Sequence, residues 1–393
     1  MKILILNTDY PGFLDRLYRQ NPGLERRPYE DQMRARNDSL FGVADFYSHH
    51  LRALGHEAWD VHANNPFLQQ AWAREHPVVS TAPRPVASSI RSLVRWTRRA
   101  IARTPLRCLK SALPPSLRRL GVTPDISWDI LAAQIRHYRP DVLLNHDPGR
   151  IGSRFLLEMR PHCRFLVAQI ASPLAETGDF HGYDLVISSL PQYVDRFRQA
   201  GIRSDLLRFA FDPRVLERVP AGPRTVPVSF VGSLSCDHRH RAEWLERLCQ
   251  RCALQAWGPG VETTPKDSWI RRRHQGIAWG VEMYAILGRS RITLNHHIGI
   301  AEHFANNMRL FEATGMGALL ITDWKQNLGE LFDPGTEVAA YRSADECAEL
   351  IEHYLGHPRE LEAMARAGQQ RTLREHTYAQ RMKEFVDLVQ PHI

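Results

Sequence analysis

The sequence predicts an α/β protein of two doubly wound domains, each a parallel sheet flanked by helices. Three observations point there. Short runs of Ile, Leu and Val alternate with stretches of helical period along most of the chain. The 393 residues exceed what one ordinary core holds. A proline-rich passage, Asp212-Pro213 through Val219-Pro220-Ala221-Gly222-Pro223, interrupts the pattern near its middle and reads as a linker, which sets the domains at 1–215 and 216–393.

Taken in order, Ile3–Leu6 reads as a strand. Ser39–Leu54 carries Leu40, Val43, Ala44, Tyr47 and Leu51 at helical spacing and stops at Gly55. Ala58–Val61 is the next strand, Ile126–Tyr138 a helix, and Val142–Leu144, Phe165–Ile170 and Leu185–Ile187 are strands. The second half repeats the scheme with strands at Val228–Val231, near Ala253–Ala256, Ile292–Leu294, Ala318–Ile321 and Val338–Tyr341, and a helix around Ala242–Leu248. From Ala344 onward three helices follow, broken at Gly356-His357-Pro358 and near His376-Thr377; the last, Tyr378–Val389, is placed to return to the N-terminal domain.

Composition excludes several classes. At 43% hydrophobic and 24% charged residues the chain is neither disordered nor a coiled coil. The longest stretch without Asp, Glu, Lys or Arg, Val61–Ala73, is thirteen residues, too short to span a bilayer. Met1–Asn7 has no secretion-signal pattern, so the expected setting is the cytoplasm, with the six cysteines as reduced thiols and Cys249-x-x-Cys252 as a structural pair at a helix end. Net charge is +8, yet all of the excess lies between Glu75 and Asp125, where ten basic residues face no acidic one. A basic tract in an otherwise slightly acidic chain, without a nucleic-acid module, excludes nucleic acid as partner. Within it, Ser89–Arg103 forms an amphipathic pattern with Arg91, Arg95, Arg98 and Arg99 opposite Ile90, Leu93 and Val94. Two readings stand, a solvated helix, or residues 84–119 as a contact to an anionic membrane surface at its inner face.

The most specific segment is Asn307-Met308-Arg309-Leu310-Phe311-Glu312-Ala313-Thr314-Gly315-Met316-Gly317-Ala318-Leu319-Leu320-Ile321-Thr322-Asp323. A helix start bearing Asn307 and Arg309 suits a phosphate, and Glu312 can accept from vicinal sugar hydroxyls. The competing reading makes Glu312 a surface partner of Arg309 at i, i+3. With Gly329-Glu330-Leu331-Phe332-Asp333-Pro334-Gly335, His376-Thr377-Tyr378, Tyr183-Asp184-Leu185-Val186-Ile187-Ser188 and Phe230-Val231-Gly232-Ser233, this segment resembles group 1-like GT-B glycosyltransferases, nearest the spore-maturation-protein-like branch. The resemblance covers the last 210 residues or so and implies two facing Rossmann-like domains with the cleft between them. It implies transfer of a sugar from a nucleotide diphosphate donor, held by the C-terminal domain, to a glycan or lipid-linked acceptor in cell-envelope polysaccharide synthesis, with no cofactor. It places Glu312 on the donor ribose, Asn307 and Arg309 near phosphates or sugar, and Gly232-Ser233 at the diphosphate. The family's other glutamate, eight residues upstream with seven between, falls on Phe304 with Glu302 two positions too early, so the stereochemical outcome is open and a catalytically silent scaffold is the competing class.

No Asp-x-Asp occurs, so no metal is expected and leaving-group charge falls to helix dipoles, amides and cations. Candidate cations beside Arg309 are His238, Arg239, Arg241, Arg289 and Arg291; Asn295 and His297 follow a strand and complete the donor set, with packing or donor-sugar contact both open for His296 and His297. An inverting route needs a base near the acceptor hydroxyl. Asn7-Thr8-Asp9 and Asn145-His146-Asp147 follow strands of the first domain, which nominates Asp9, His146 and Asp147, with Glu176 and Asp179 behind them; helix-cap or turn roles are the alternative for each.

Overall fold

The computed structural model describes residues 1–76, 126–174, 179–220, 222–234 and 239–393. The basic tract 84–119 with its helix Ser89–Arg103, Glu176 and His238 lie outside them. Two sheets form. The first contains β1 (Lys2–Asn7), β2 (Glu57–His62), β3 (Val142–Asn145), β4 (Phe165–Gln169), β5 (Leu185–Ser188) and β6 (Ser204–Leu206) in the order β2-β1-β3-β4-β5-β6. The second contains β7 (Val226–Val231), β8 (Leu254–Trp257), β9 (Ser290–Asn295), β10 (Leu319–Asp323) and β11 (Ala339–Tyr341) in the order β11-β10-β9-β7-β8. The strands are parallel from β1 through β3, β4 and β5 to β6 in the first sheet and throughout the second. Ile3–Leu6, Val142–Asn145 and Leu185–Ile187 are buried residue by residue, as strands covered on both faces must be. Each sheet reverses its strand order once, beside β1 and β3 and beside β7 and β9. Open α/β sheets bind ligands at the carboxyl ends of the strands at such a point.

The chain divides into two compact units. One holds Met1–Leu6, Arg36–Val61 and Tyr138–Ile393, and so contains nearly all of both sheets. One continuous core runs through it from Ile3 and Ile5 to Leu310, Phe311 and Tyr378. The final helix, Tyr378–Val389, is started by a capping box at Thr377 and Gln380, and lays Tyr378 on Phe46 and Tyr47 with ring centroids 5.2 and 5.5 Å apart. The other unit, Asn7–Ala35 with His62–His137, has its own small core of Tyr29, Met33, Leu68, Ala71 and Trp72. No helix among the described residues is long and apolar enough to cross a membrane.

Two expectations are corrected. The helix expected over Ser39–Leu54 occupies only Phe46–Ala53. Leu40 and Ala44 turn to φ 54° and 43°, and the Ser39 carbonyl accepts from the Val281 amide at 2.9 Å. Gly280 makes that approach possible, because a Cβ there would lie 1.9 Å from the Ser39 oxygen. A tertiary contact thus overrides a helical period. The proline-rich passage is no bare linker. Arg214–Arg218 form one helical turn between its prolines, and buried Asp212 takes His50 at 3.2 Å and Arg214 at 2.7 Å. Cys249 and Cys252 are free, buried thiols of the second sheet's core.

Candidate functional site

At the second switch point, β7 runs into Gly232-Ser233 and β9 into Asn295-His296-His297. Arg241, from the helix Arg239–Arg251, bridges the two loops. Its Nη1 donates to the Ser233 carbonyl at 3.2 Å and its Nη2 to the His296 carbonyl at 2.8 Å. Burial lowers its pKa to about 10, which leaves it cationic at neutral pH. Gly258 seats the Gly232 turn: at φ 146° a Cβ there would stand 1.9 Å from the Gly232 oxygen.

Beyond this bridge the polar side chains hold one another. Asn295 Nδ2 donates to Thr322 Oγ1 at 2.9 Å, and its Oδ1 accepts from Asn307 Nδ2 at 2.7 Å. Asn307 is the N-cap of the helix Met308–Gly315, its Oδ1 accepting from the Leu310 amide at 3.2 Å. The β9–β10 register, Thr322 opposite Asn295, brings Asp323 beside His297: Asp323 Oδ1 accepts from the His297 amide at 3.0 Å and meets Nδ1 at 2.6 Å. Burial pushes the Asp323 carboxyl up. The hydrogen bond from His297 and the positive charge of Lys325 outweigh it and hold the group well below the usual range. His296 stacks on Trp244 at 4.8 Å and bonds the Tyr341 hydroxyl at 3.0 Å, and burial lowers it to about 4.

Glu312 and Arg309 pair at 2.9 Å as i, i+3 neighbours, but not on a surface: their side chains are 7% and 14% exposed. Tyr284 donates to the other carboxylate oxygen at 3.5 Å. Burial raises Glu312, and the Arg309 charge and Tyr284 bond draw it back. The exposed-pair reading therefore fails, because one face of that helix is packed against Val281–Arg289.

The first-sheet candidates are engaged differently. Asp147 accepts from the Arg150 amide at 3.2 Å, closing a turn, and its own amide donates to Asn145 Oδ1 at 3.0 Å. The His146 ring meets Tyr47 edge-on at 4.8 Å. Within the smaller unit, buried Asp9 faces His62 Nδ1 at 3.0 Å and exchanges two hydrogen bonds with Asn64 at 2.8 and 2.7 Å. Asp179 accepts from the His181 amide at 3.0 Å, at the surface. Arg289 and Arg291 are corrected: Arg289 ends the helix before β9 and Arg291 stands at the amino end of β9, about 13 Å of strand from Asn295, away from the crevice.

The structure thus gathers Asn295, His297 and Asn307 into one network, joins Arg309 to Glu312, and gives Arg241 to the backbone of the Gly232-Ser233 loop. Sequence reading gave no role to Thr322 and Asp323, which close its most specific segment, nor to Lys325 and Tyr341, although β10 and β11 were both expected; polar residues ending two adjacent parallel strands were the available signal. It also missed His62 and Asn64. Among the described residues no group of three or more His, Cys, Asp or Glu is arranged to hold a metal ion.

Comparison with known proteins agrees with the fold. Residues 239–387 match a family model described as glycosyl transferase-like. No curated protein matches the chain by sequence. Among solved structures, a glycosyltransferase from Rickettsia africae superposes with a TM-score of 0.57 at 10% identity, covering 99% of this chain and 98% of that one. A sucrose-phosphate synthase from Thermosynechococcus elongatus gives 0.54 at 11% identity over 99% and 98%. The Anabaena protein HepE in complex with UDP-glucose gives 0.57 at 12% identity over the whole of both chains. At these identities the likeness is one of fold, and the fold is GT-B, with two Rossmann-like parallel sheets.

Proposed function

We propose that the protein is a glycosyltransferase that binds a nucleotide diphosphate sugar at the carboxyl end of the second sheet and transfers the sugar to a glycan or lipid-linked acceptor, as a hexosyl or related transferase of the spore-maturation-protein-like branch. The buried Arg309–Glu312 pair at the start of the helix Met308–Gly315 carries this reading. A surface pair would need no such burial, and a buried pair costs desolvation on both sides. Bound HepE supports the ligand class, since it holds UDP-glucose on the same fold.

In the reaction the acceptor oxygen attacks the anomeric carbon, the bond from that carbon to the diphosphate breaks, and the acceptor proton passes to a base. The nucleoside diphosphate leaves with added negative charge. Amides of Gly232-Ser233, the free amides opening Met308–Gly315 and the Arg309 guanidinium offset it, so no metal is needed. Glu312 takes the ribose hydroxyls. The N-terminal domain, 1–215, supplies the acceptor site and a base from among Asp9, His146 and Asp147, and 216–393 the donor site. The tract 84–119 meets the anionic inner membrane face where a lipid-linked acceptor resides.

The test is a panel of nucleotide sugars assayed for transfer and for donor hydrolysis. Turnover of at least one donor, unchanged by EDTA, is expected. Binding without turnover would favour the silent scaffold, and loss on EDTA with rescue by manganese would remove metal independence. Salt-sensitive sedimentation with anionic but not neutral vesicles is expected; equal behaviour with both removes the membrane contact.

A further inference from the structure

Of the polar atoms around β9 and β10, the second ring nitrogen of His297 stands apart. The His297 side chain is fully buried, and its Nε2 has no hydrogen-bond partner among the described residues. Its Nδ1 lies 2.6 Å from Asp323 Oδ1, the oxygen that also accepts the His297 amide. Lys325 Nζ stands 3.4 Å from the other Asp323 oxygen and donates to the Glu302 carbonyl at 2.7 Å. The backbone and the ring are therefore fixed by one carboxylate, itself anchored by a lysine.

We propose that Asp323 is a positioning residue of the donor site: it holds the His297 ring with its proton on Nδ1, so that Nε2 is offered as a hydrogen-bond acceptor to a hydroxyl group of the donor. This rests on the donor reading above. An ionised carboxylate only accepts, so the partner nitrogen carries the hydrogen, and a neutral imidazole then has a lone pair alone on the other nitrogen. A second proton on Nε2 would be a buried donor without an acceptor. Phosphate oxygens bring lone pairs and cannot pair with a bare nitrogen, whereas a hydroxyl brings its own hydrogen. The neighbouring charged and titratable groups fit that division. Lys325 is turned to Asp323, Arg241 to the His296 carbonyl, and His296 to Tyr341, which leaves the hydroxyl contact to His297. The hydroxyl comes from the ribose or from the transferred sugar.

Nitrogen NMR of histidine-labelled protein reads the tautomer without ligand: a protonated Nδ1 and a bare Nε2 are expected for His297, and Asp323→Asn should abolish that preference. Calorimetry with UDP, UDP-glucose and inorganic pyrophosphate then reads the contact. His297→Asn places an amide nitrogen where Nδ1 was, keeps the bond to Asp323 and deletes Nε2. It should weaken UDP-glucose about five- to tenfold and leave pyrophosphate unchanged. The double variant with Asp323→Asn should bind no more weakly than His297→Asn alone, since Asp323 acts through the ring. A loss shared by UDP assigns the ribose, and a loss confined to UDP-glucose assigns the transferred sugar. Should His297→Asn lose its cooperative melt, Asp323→Asn carries the same comparison. A proton on Nε2, or an equal loss for pyrophosphate, overturns the proposal. Wild-type affinity in His297→Asn beside weakened binding in Glu312→Gln overturns it while the donor reading stands; should UDP not bind, the nucleotide sugar of the panel that does takes its place, and no binding of any of them by the wild type rejects both.

Discussion

Asn145 and Asn295 occupy equivalent places. Each is the last residue of the third strand of its sheet in chain order, each stands beside the point where strand order reverses, and both are buried. Their bonds differ. Asn145 donates to the Ile151 carbonyl and the Tyr183 hydroxyl, both at 2.8 Å, and accepts the Asp147 amide, so it mainly folds its own loop. Asn295 instead ties the next strand, through Thr322, to the next helix, through Asn307. A local turn displays its side chains on a rigid base, whereas a network across elements makes the side chains themselves the rigid object. The second arrangement is what preorganised ligand binding requires, and the first is enough to hold a single proton acceptor.

The sharpest way to break this comparison is at Glu312. Glu312→Ala leaves the Arg309 guanidinium buried and unpaired, so a loss of about 3–5 kcal/mol in stability is expected along with donor binding. Denaturant melts of Glu312→Ala and Glu312→Gln separate the two effects, because the amide keeps the shape. At the first sheet the reverse pattern is expected. Alanine at whichever of Asp9, His146 and Asp147 is the base should lower turnover about a hundredfold or more with donor affinity unchanged. Near-normal turnover in all three variants would reject the assignment.

Acid should distinguish the sheets next. His296 and His376 are held neutral by burial, each with a pKa lowered to about 4 from the ordinary 6.5. A base whose folded pKa is depressed contributes its full stability above pH 6.5 and loses it as pH falls toward 4, about 2 kcal/mol per group by pH 5. Asp323 loses its own contribution only below the ordinary carboxylate range. Hydrogen exchange along β9 should therefore quicken before that along β3 as pH is lowered; simultaneous opening would contradict this. The smallest effect separates the two asparagines: Asn295→Ala should cost about 1–2 kcal/mol and weaken donor binding, and Asn145→Ala a similar stability with donor binding unchanged. Calorimetry on both variants reads the difference.

Strands were legible because buried parallel strands announce themselves as uninterrupted apolar runs, as in Ile3–Leu6 and Leu319–Ile321. The helices Pro11–Gln20, Tyr29–Asp38 and Pro66–Glu75 escaped notice because of interspersed polar residues, and β6 because Ser204-Asp205-Leu206 is too short and too polar. In the site, residues of the segment around Glu312 carried a pattern in the sequence. Asp323 closes that segment, but its role was not legible there, since its meaning comes from lying one position beyond Thr322 in the strand beside Asn295, and register is a tertiary fact. Arg241 was legible as a cation, but its work on two backbone carbonyls was not.

The most direct test of the central claim is a map of amide protection on binding. Hydrogen exchange of the whole protein with and without UDP-glucose, beside the other nucleotide sugars of the panel, should show the bound donor slowing exchange over Gly232–Arg241, Asn295–His297 and the start of Met308–Gly315, with that protection lost in Glu312→Gln. Protection confined to other segments, or no protection by any nucleotide sugar, would contradict it.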